Sequence, residues 1–229
     1  GASQDYLVLA PQSYQVVDTK GNIRYITEKL QDAIDKANAH KNSKNEQLMV
    51  VINEKEVVIT EAVQIGVSQS SESGSVIDVV YISARKSTVI SRSGYGGSVF
   101  NIGRYADVKI GTNCMDEFSD VVNNKFAIAF GGTVPTITFS GDIRSNGNVA
   151  GVDAFIRNSG SLTLGENVTL EGNTLKATGT GAVNDGGAVV VTNGGTLNVR
   201  GSVFIGNSAT GSGGAIYVEG TISQTAVVV

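Results

Sequence analysis

Along most of this chain apolar residues come in short runs set between polar turn residues, and only one stretch departs from that rhythm. From Leu48 the runs are Leu48-Met49-Val50-Val51-Ile52, Val57-Val58-Ile59, Ala62-Val63-Gln64-Ile65 and Val79-Val80-Tyr81-Ile82. Thr88-Val89-Ile90, Ser98-Val99-Phe100-Asn101-Ile102 and Asp107-Val108-Lys109-Ile110 follow. After an irregular insert at residues 111–125 the pattern resumes with Phe126-Ala127-Ile128-Ala129-Phe130, Thr136-Ile137-Thr138-Phe139 and Ala154-Phe155-Ile156. The runs are rich in β-branched residues, and Gly, Ser, Asn and Asp separate them, which predicts short strands joined by turns. Ahead of them, Tyr6-Leu7-Val8-Leu9 and Tyr14-Gln15-Val16-Val17 read as further strands, with Asp18-Thr19-Lys20-Gly21-Asn22 as a turn.

The departure is residues 27–40. Leu30, Ala33, Ile34 and Ala37 fall at i, i+3, i+4 and i+7, and charged or amide residues fill the other faces. That spacing predicts an amphipathic helix. Thr27 suits its N-cap, Glu28 suits the first turn, and His40 at its end suits the C-terminal dipole. No second helix is predicted for its apolar face to meet. The face is expected to lie over the first strands, where an unpaired edge and an apolar interior would otherwise meet solvent.

A repeat near the C-terminus sets the architecture. Leu162, Leu164, Val168 and Leu170 align with Leu197, Val199, Val203 and Ile205, and each block closes on Gly-Asn, at Gly172-Asn173 and Gly206-Asn207. Gly186-Gly187-Ala188 and Gly213-Gly214-Ala215 then follow in turn. Self-similarity over a few tens of residues is the mark of a solenoid, in which each repeat buries its apolar face against its neighbours. Short strands alone also fit a sandwich or a barrel. Tight two-residue Asn-Gly or Asp-Gly hairpins are missing, since Asn146-Gly147 and Asp185-Gly186 each lie in longer loops. Asn173 and Asn207 sit where stacked amides can bond from rung to rung. The expected fold is all-β, a right-handed parallel β-helix over residues 48–229, preceded by a cap over residues 1–47 that holds the helix. The alignment further predicts that Val168, Leu170, Val203 and Ile205 face the interior and that Phe204 lies outside it.

The segment Phe204-Ile205-Gly206-Asn207, followed by Gly213-Gly214-Ala215-Ile216-Tyr217, resembles the FxxN and GGA pair of polymorphic membrane proteins and related autotransporter-passenger adhesins. Thr27 to Asn38 is similar to the helix that precedes the rungs in many bacterial surface β-helix proteins. The resemblance implies a cell-surface or secreted module, bacterial and extracellular, that binds a host or cell-surface protein or a glycan. Because Ala226-Val227-Val228-Val229 stops in strand-like sequence without a turn or polar cap, the segment is expected to belong to a longer chain.

Composition narrows the alternatives. Twenty-nine glycines with only two prolines, at 41% hydrophobic, describe punctuated strands rather than disorder. A net charge of −4, without a Lys/Arg run and without Trp, gives no nucleic-acid footprint. No stretch approaches the roughly 20 apolar residues of a spanning helix. Cys114 is the only cysteine, reads as a small buried or half-buried residue, and cannot form an intramolecular disulfide.

No residue is assigned a catalytic, cofactor-binding or metal-ligating role, and no cofactor is expected. A polysaccharide lyase or glycosidase would need carboxylates paired or clustered on one face. Asp142, Asp153, Glu166, Glu171 and Asp185 are scattered singly, as are the possible bases Arg144, Arg157 and Arg200. Tyr81, Tyr95, Tyr105 and Tyr217 are the candidates for sugar stacking. Gly94-Tyr95-Gly96-Gly97 lacks the Lys-Ser/Thr of a phosphate loop. His40 has no visible metal or triad partners. Residues 68–75 read as a solvent loop, and the insert at 111–125 as the better candidate for a specific contact. The expected function is therefore non-catalytic adhesion or ligand binding, with a polysaccharide-degrading enzyme or a structural spacer as alternatives.

Overall fold

The computed structural model describes residues 13–67, 77–93, 95–126, 131–141, 153–175, 185–192 and 194–219. The expectations for Tyr6 to Leu9, for residues 68–75, 127–130 and 226–229, for Asn146-Gly147, and for Gly94, Asp142 and Arg144 lie outside those residues.

Strands dominate. Three sheets of parallel strands share one interior, and the chain visits them in the same order five times. The first pass is β3 (Met49–Ile52), β4 (Glu56–Ile59) and β5 (Val63–Ile65), and the second is β6 (Asp78–Ala84), β7 (Thr88–Arg92) and β8 (Phe100–Ile102). The third is β9 (Ala106–Ile110), β10 (Ile137–Phe139) and β11 (Ile156–Asn158). The fourth is β12 (Ser161–Leu164), β13 (Val168–Glu171), the short β14 (Thr174–Leu175) and β15 (Val189–Val191). The fifth is β16 (Thr196–Val199), β17 (Val203–Ile205), β18 (Ser208–Ala209) and β19 (Ile216–Val218). The first sheet runs β3-β6-β9-β12-β16, the second β4-β7-β10-β13-β17 and the third β5-β8-β11-β15-β19. This is the all-β, parallel-sheet, solenoid-like arrangement that the strand spacing and the repeat predict.

Alternation fills the interior. Val50, Ile52, Val57, Ile59, Val63, Ile65, Ile90, Ile102, Leu162 and Leu170 belong to one core cluster, because successive strand residues face opposite sides. Phe139 links Phe100 and Phe155 at its centre, with ring centroids 5.7 and 5.6 Å apart.

Ahead of the first pass, β1 (Tyr14–Val17) pairs antiparallel with β3, and β2 (Ile23–Thr27) pairs antiparallel with β1. The turn between them is held by Asp18, whose carboxylate accepts from the amides of Lys20 and Asn22, both at 2.9 Å. These strands extend the first sheet to seven. The helix α1 spans Leu30–Lys44, later than the predicted 27–40 at both ends. Lys29 occupies the N-cap, and Thr27 instead ends β2, its hydroxyl donating to the Lys29 carbonyl at 2.9 Å. Chain already committed to β2 cannot also supply the helix start. The apolar face is as predicted: Leu30, Ala33, Ile34 and Ala37 are buried in the main core. Gln31 closes the edge of β5, its amide accepting from the Gln64 N–H at 2.7 Å and donating to the Gln64 carbonyl at 2.9 Å. One side chain thus supplies the pairing that a further strand would have made.

The predicted register of the last pass is corrected. Leu162 pairs with Leu197 and Leu164 with Val199 as aligned, but Leu170 pairs with Phe204, and Thr169 and Glu171 pair with Val203 and Ile205. Leu164 pairs with Val199 and Thr169 with Val203, so the earlier pass takes five steps (164 to 169) where the last takes four (199 to 203), and a shift of one residue flips every side chain to the other face. Phe204 packs on the core, whereas Val203 and Ile205 are each 49% exposed. Phe204→Ala is therefore expected to cost about 1–3 kcal/mol, less than a fully buried Phe, and Ile205→Ala under about 1 kcal/mol. Urea unfolding of both variants checks this, and the reverse order would overturn the register.

The glycine pairs also find their reason. Gly186 has φ +71°, and a Cβ on Gly187 would lie 2.4 Å from the Gly214 carbonyl oxygen and 2.6 Å from that of Asn173. Only glycine lets the backbone of adjacent passes approach so closely.

Candidate functional site

The insert is not a free loop. Its short 3-10 helix Asp116–Phe118 and the helical turn Val121–Phe126 lie on the outer side of the first sheet. Cys114, Met115, Phe118, Val121, Val122 and Phe126 pack there against Val17, Met49, Val51 and Tyr81. Phe126, predicted to open a strand, instead ends the helical turn beneath the Arg85 guanidinium, 4.7 Å from its ring centroid. The alternation of β3 explains the arrangement: Val50 and Ile52 face the main core, so Met49 and Val51 face outward and need cover. Cys114 is buried as predicted, and burial pushes its thiol from an ordinary 9.0 up to about 11. Because only the thiolate reacts, iodoacetamide at pH 8 is expected to modify it roughly 100-fold more slowly in the folded chain than in the urea-unfolded chain. Equal rates in the two states would show that the insert does not cover it.

The scattered acids stay scattered. Asp153 binds Arg157 through a two-pronged pair, Nε to Oδ2 and Nη2 to Oδ1, both at 2.9 Å, and this bonding raises the Arg157 pKa. Glu166 pairs through its backbone with Thr112 in an isolated antiparallel bridge, with its side chain against Gly201. Glu171 is exposed on β13 and Arg200 is exposed after β16. The Asp185 carboxylate accepts from the Ser212 amide. Among the described residues no three His, Cys, Asp or Glu side chains gather as a metal site.

The tyrosines likewise serve different places. The Tyr81 hydroxyl donates to Glu117 at 2.6 Å, holding the insert to β6, and its pKa rises through burial and that bond. Tyr95 donates to the Ser98 carbonyl at 3.3 Å. Tyr105 lies in the turn before β9 and Tyr217 on β19, two passes later, both half-buried.

His40 is not an exposed helix-end residue. It is buried at 7% exposure, and Glu46 accepts from its Nε2 at 2.8 Å. Its Nδ1 lies 2.9 Å from the Tyr25 hydroxyl, within hydrogen-bond distance. Both partners flank the helix rather than sharing its face, so helical spacing could not reveal them. Arg92 is a further residue that sequence reading misses: its Nη1 donates to the carbonyls of Gly97 at 2.7 Å and Asp153 at 3.0 Å, pinning two loops at one corner.

What the fold assembles over all five passes is a stripe on the outside of the second sheet. Glu56 pairs with Val89, Val89 with Thr138, Thr138 with Thr169 and Thr169 with Val203. The two ends are exposed and the three middle positions half-exposed. At roughly 4.8 Å per strand the row is about 19 Å long. Its residues are β-branched apart from one terminal carboxylate, so the row is stiff and nearly flat. The outward positions follow by alternation once the inward residues Val57, Ile90, Phe139, Leu170 and Phe204 are fixed. The sequence held that signal, but reading it requires the register.

Comparison of the chain with protein-family models, curated proteins and solved structures finds no match.

Proposed function

We propose that this chain is a right-handed parallel β-helix module, non-catalytic, displayed at a bacterial cell surface or secreted, that binds a host or cell-surface protein or a glycan. The right hand follows from the strong preference of parallel crossovers for that sense. The observation that carries the binding role is the in-register stripe from Glu56 through Val89, Thr138 and Thr169 to Val203. A stiff row of this kind loses little side-chain entropy when covered, and its hydroxyls and terminal carboxylate add directional contacts. Adhesion to an extended ligand needs only such a surface, whereas hydrolysis or elimination needs converging acids and bases. The resemblance of the Phe204 to Tyr217 segment to autotransporter-passenger repeats supports the same reading.

The test is a glycan array and a cell-binding assay on the wild type and on Thr138→Arg with Thr169→Arg. Signal that falls at least about tenfold in the variant, with unchanged melting, supports the stripe as the binding face. Release of unsaturated uronate or reducing sugar from a polysaccharide panel, abolished by Asp153→Asn or Glu171→Gln, would overturn the non-catalytic reading.

A further inference from the structure

The other open surface is the edge of the seven-stranded sheet at β2. β1 pairs along one side of β2, and among the described residues nothing pairs along the other. An unpaired edge offers a row of N–H and C=O groups to any extended chain, and proteins blunt such edges with inward charges, prolines or cover. Among the described residues β2 carries no proline and no further strand covers it, and its pairing with β1 shifts register at Arg24, between Ile23 and Tyr25. Its only charge, Arg24, is drawn to Asp18 at 3.4 Å and Glu46 at 3.3 Å. Ile23 and Ile26 are 44% and 46% exposed.

Beside this edge, β2 and α1 flank a shallow, open groove of about 570 Å³. Ile26 and Ala39 supply its apolar surface, and Glu28, Asp32 and Asp35 its charge. Lys36 is the one cation lining it, and its ammonium lies 5.9 Å from the Tyr25 ring centroid. Asp35 accepts from Gln31 at 3.0 Å, while Glu28 and Asp32 make no ion pair among the described residues. The apolar strand edge defines the mode of binding, and the surplus negative charge selects the occupant.

We propose that β2 is a strand-addition site for an extended segment of a partner protein that carries lysine or arginine at alternate positions. The segment's main chain continues the sheet beyond β2, its apolar side chains cover Ile23 and Ile26, and its cations reach Glu28 and Asp32. This site lies on a different sheet from the stripe and does not rest on the reading of the stripe as a binding face.

Fluorescence anisotropy with the full chain tests it, using a labelled octapeptide of alternating lysine and valine. The controls are the same peptide with glutamate for lysine, and the lysine peptide N-methylated at alternate residues. The lysine peptide is expected to bind, the glutamate peptide and the N-methylated peptide to fail, and Glu28→Lys with Asp32→Lys to weaken binding at least about tenfold. Both substituted positions are exposed, and because cations at the start of α1 oppose its dipole, a thermal melt of the variant beside the titration separates lost binding from a loosened helix. Equal binding of the lysine and glutamate peptides, or indifference to charge reversal or to N-methylation, would overturn the proposal. So would binding that emerges only after removal of residues 1–12, since the chain's own N-terminal segment would then be the occupant. A dimer in sedimentation that dissociates on charge reversal would assign the edge to a second copy instead.

Discussion

Replacing Leu30 and Ile34 together by Asp is expected to make the chain self-associate. Leu30 is 3% exposed and Ile34 is fully buried, and both belong to the main core. Each change deletes a buried aliphatic side chain, worth about 2–5 kcal/mol, and adds the cost of burying a carboxylate. The sum is comparable with the roughly 5–15 kcal/mol stability of a typical domain, so the helix undocks rather than accept two buried charges. Undocking carries Gln31 away from Gln64, which reopens the edge of β5 and the apolar interior behind it at once. The consequence is association rather than simple unfolding. Size-exclusion chromatography with light scattering, beside a thermal melt, reads the result. A monomer with unchanged melting temperature would show that α1 covers nothing essential.

Asn173→Ala is expected to lower stability by about 2–5 kcal/mol, because it strips hydrogen bonds from a fully buried corner. The Asn173 side chain accepts from the Gly141 N–H at 2.7 Å. Its Nδ2 donates to the Phe139 carbonyl at 3.0 Å and to Asn207 Oδ1 at 2.8 Å. Asn207 repeats the pattern one pass on, donating to the Leu170 carbonyl at 2.8 Å. Alanine at 173 leaves backbone groups of the third pass buried and unmatched, and at roughly 2–4 °C per kcal/mol the melting temperature should fall by about 5–20 °C. Asn173→Asp keeps the shape but cannot donate, so it should cost at least as much. Asn207→Ala should cost less, because Asn207 is only half-buried in the last pass. Equal losses at 173 and 207, or a near-neutral Asn173→Ala, would remove the ladder from the account of stability.

These asparagines also show why the register was misread. Counting back three residues from each Asn brings Leu170 and Phe204 to the same place, and the structure pairs them. Aligning instead from β12 and β16 forward carries the extra residue between Leu164 and Thr169 into β17. A buried amide bonded across passes fixes position in space, whereas a turn can gain or lose a residue without disturbing the strands it joins. The same contrast explains the insert at residues 111–125. Its Met115, Phe118, Val121 and Val122 follow neither strand nor long-helix spacing, because their shape is set by the outer face of β1, β3 and β6. The continuous apolar run Leu48 to Ile52 indicates that both faces of β3 are covered, but nothing local says which segment covers the outer one.

What the sequence determined by itself is the material that carries a period. Alternation of β-branched residues gave the strands, the spacing of Leu30, Ala33, Ile34 and Ala37 gave one buried helical face, and the repeat gave stacking of parallel strands. Each follows from geometry that acts within a few residues, or from one pass resembling the next. The tertiary structure alone decided which positions meet across passes. It brought Tyr25 and Glu46 to His40, set Gln31 on Gln64, and turned Phe204 inward. It also lined up Glu56, Val89, Thr138, Thr169 and Val203, residues far apart in the chain that share a face only because the turns between them have the lengths they do. Contacts of that kind depend on loop lengths and on which face is already covered, and a side chain's own sequence neighbourhood contains neither.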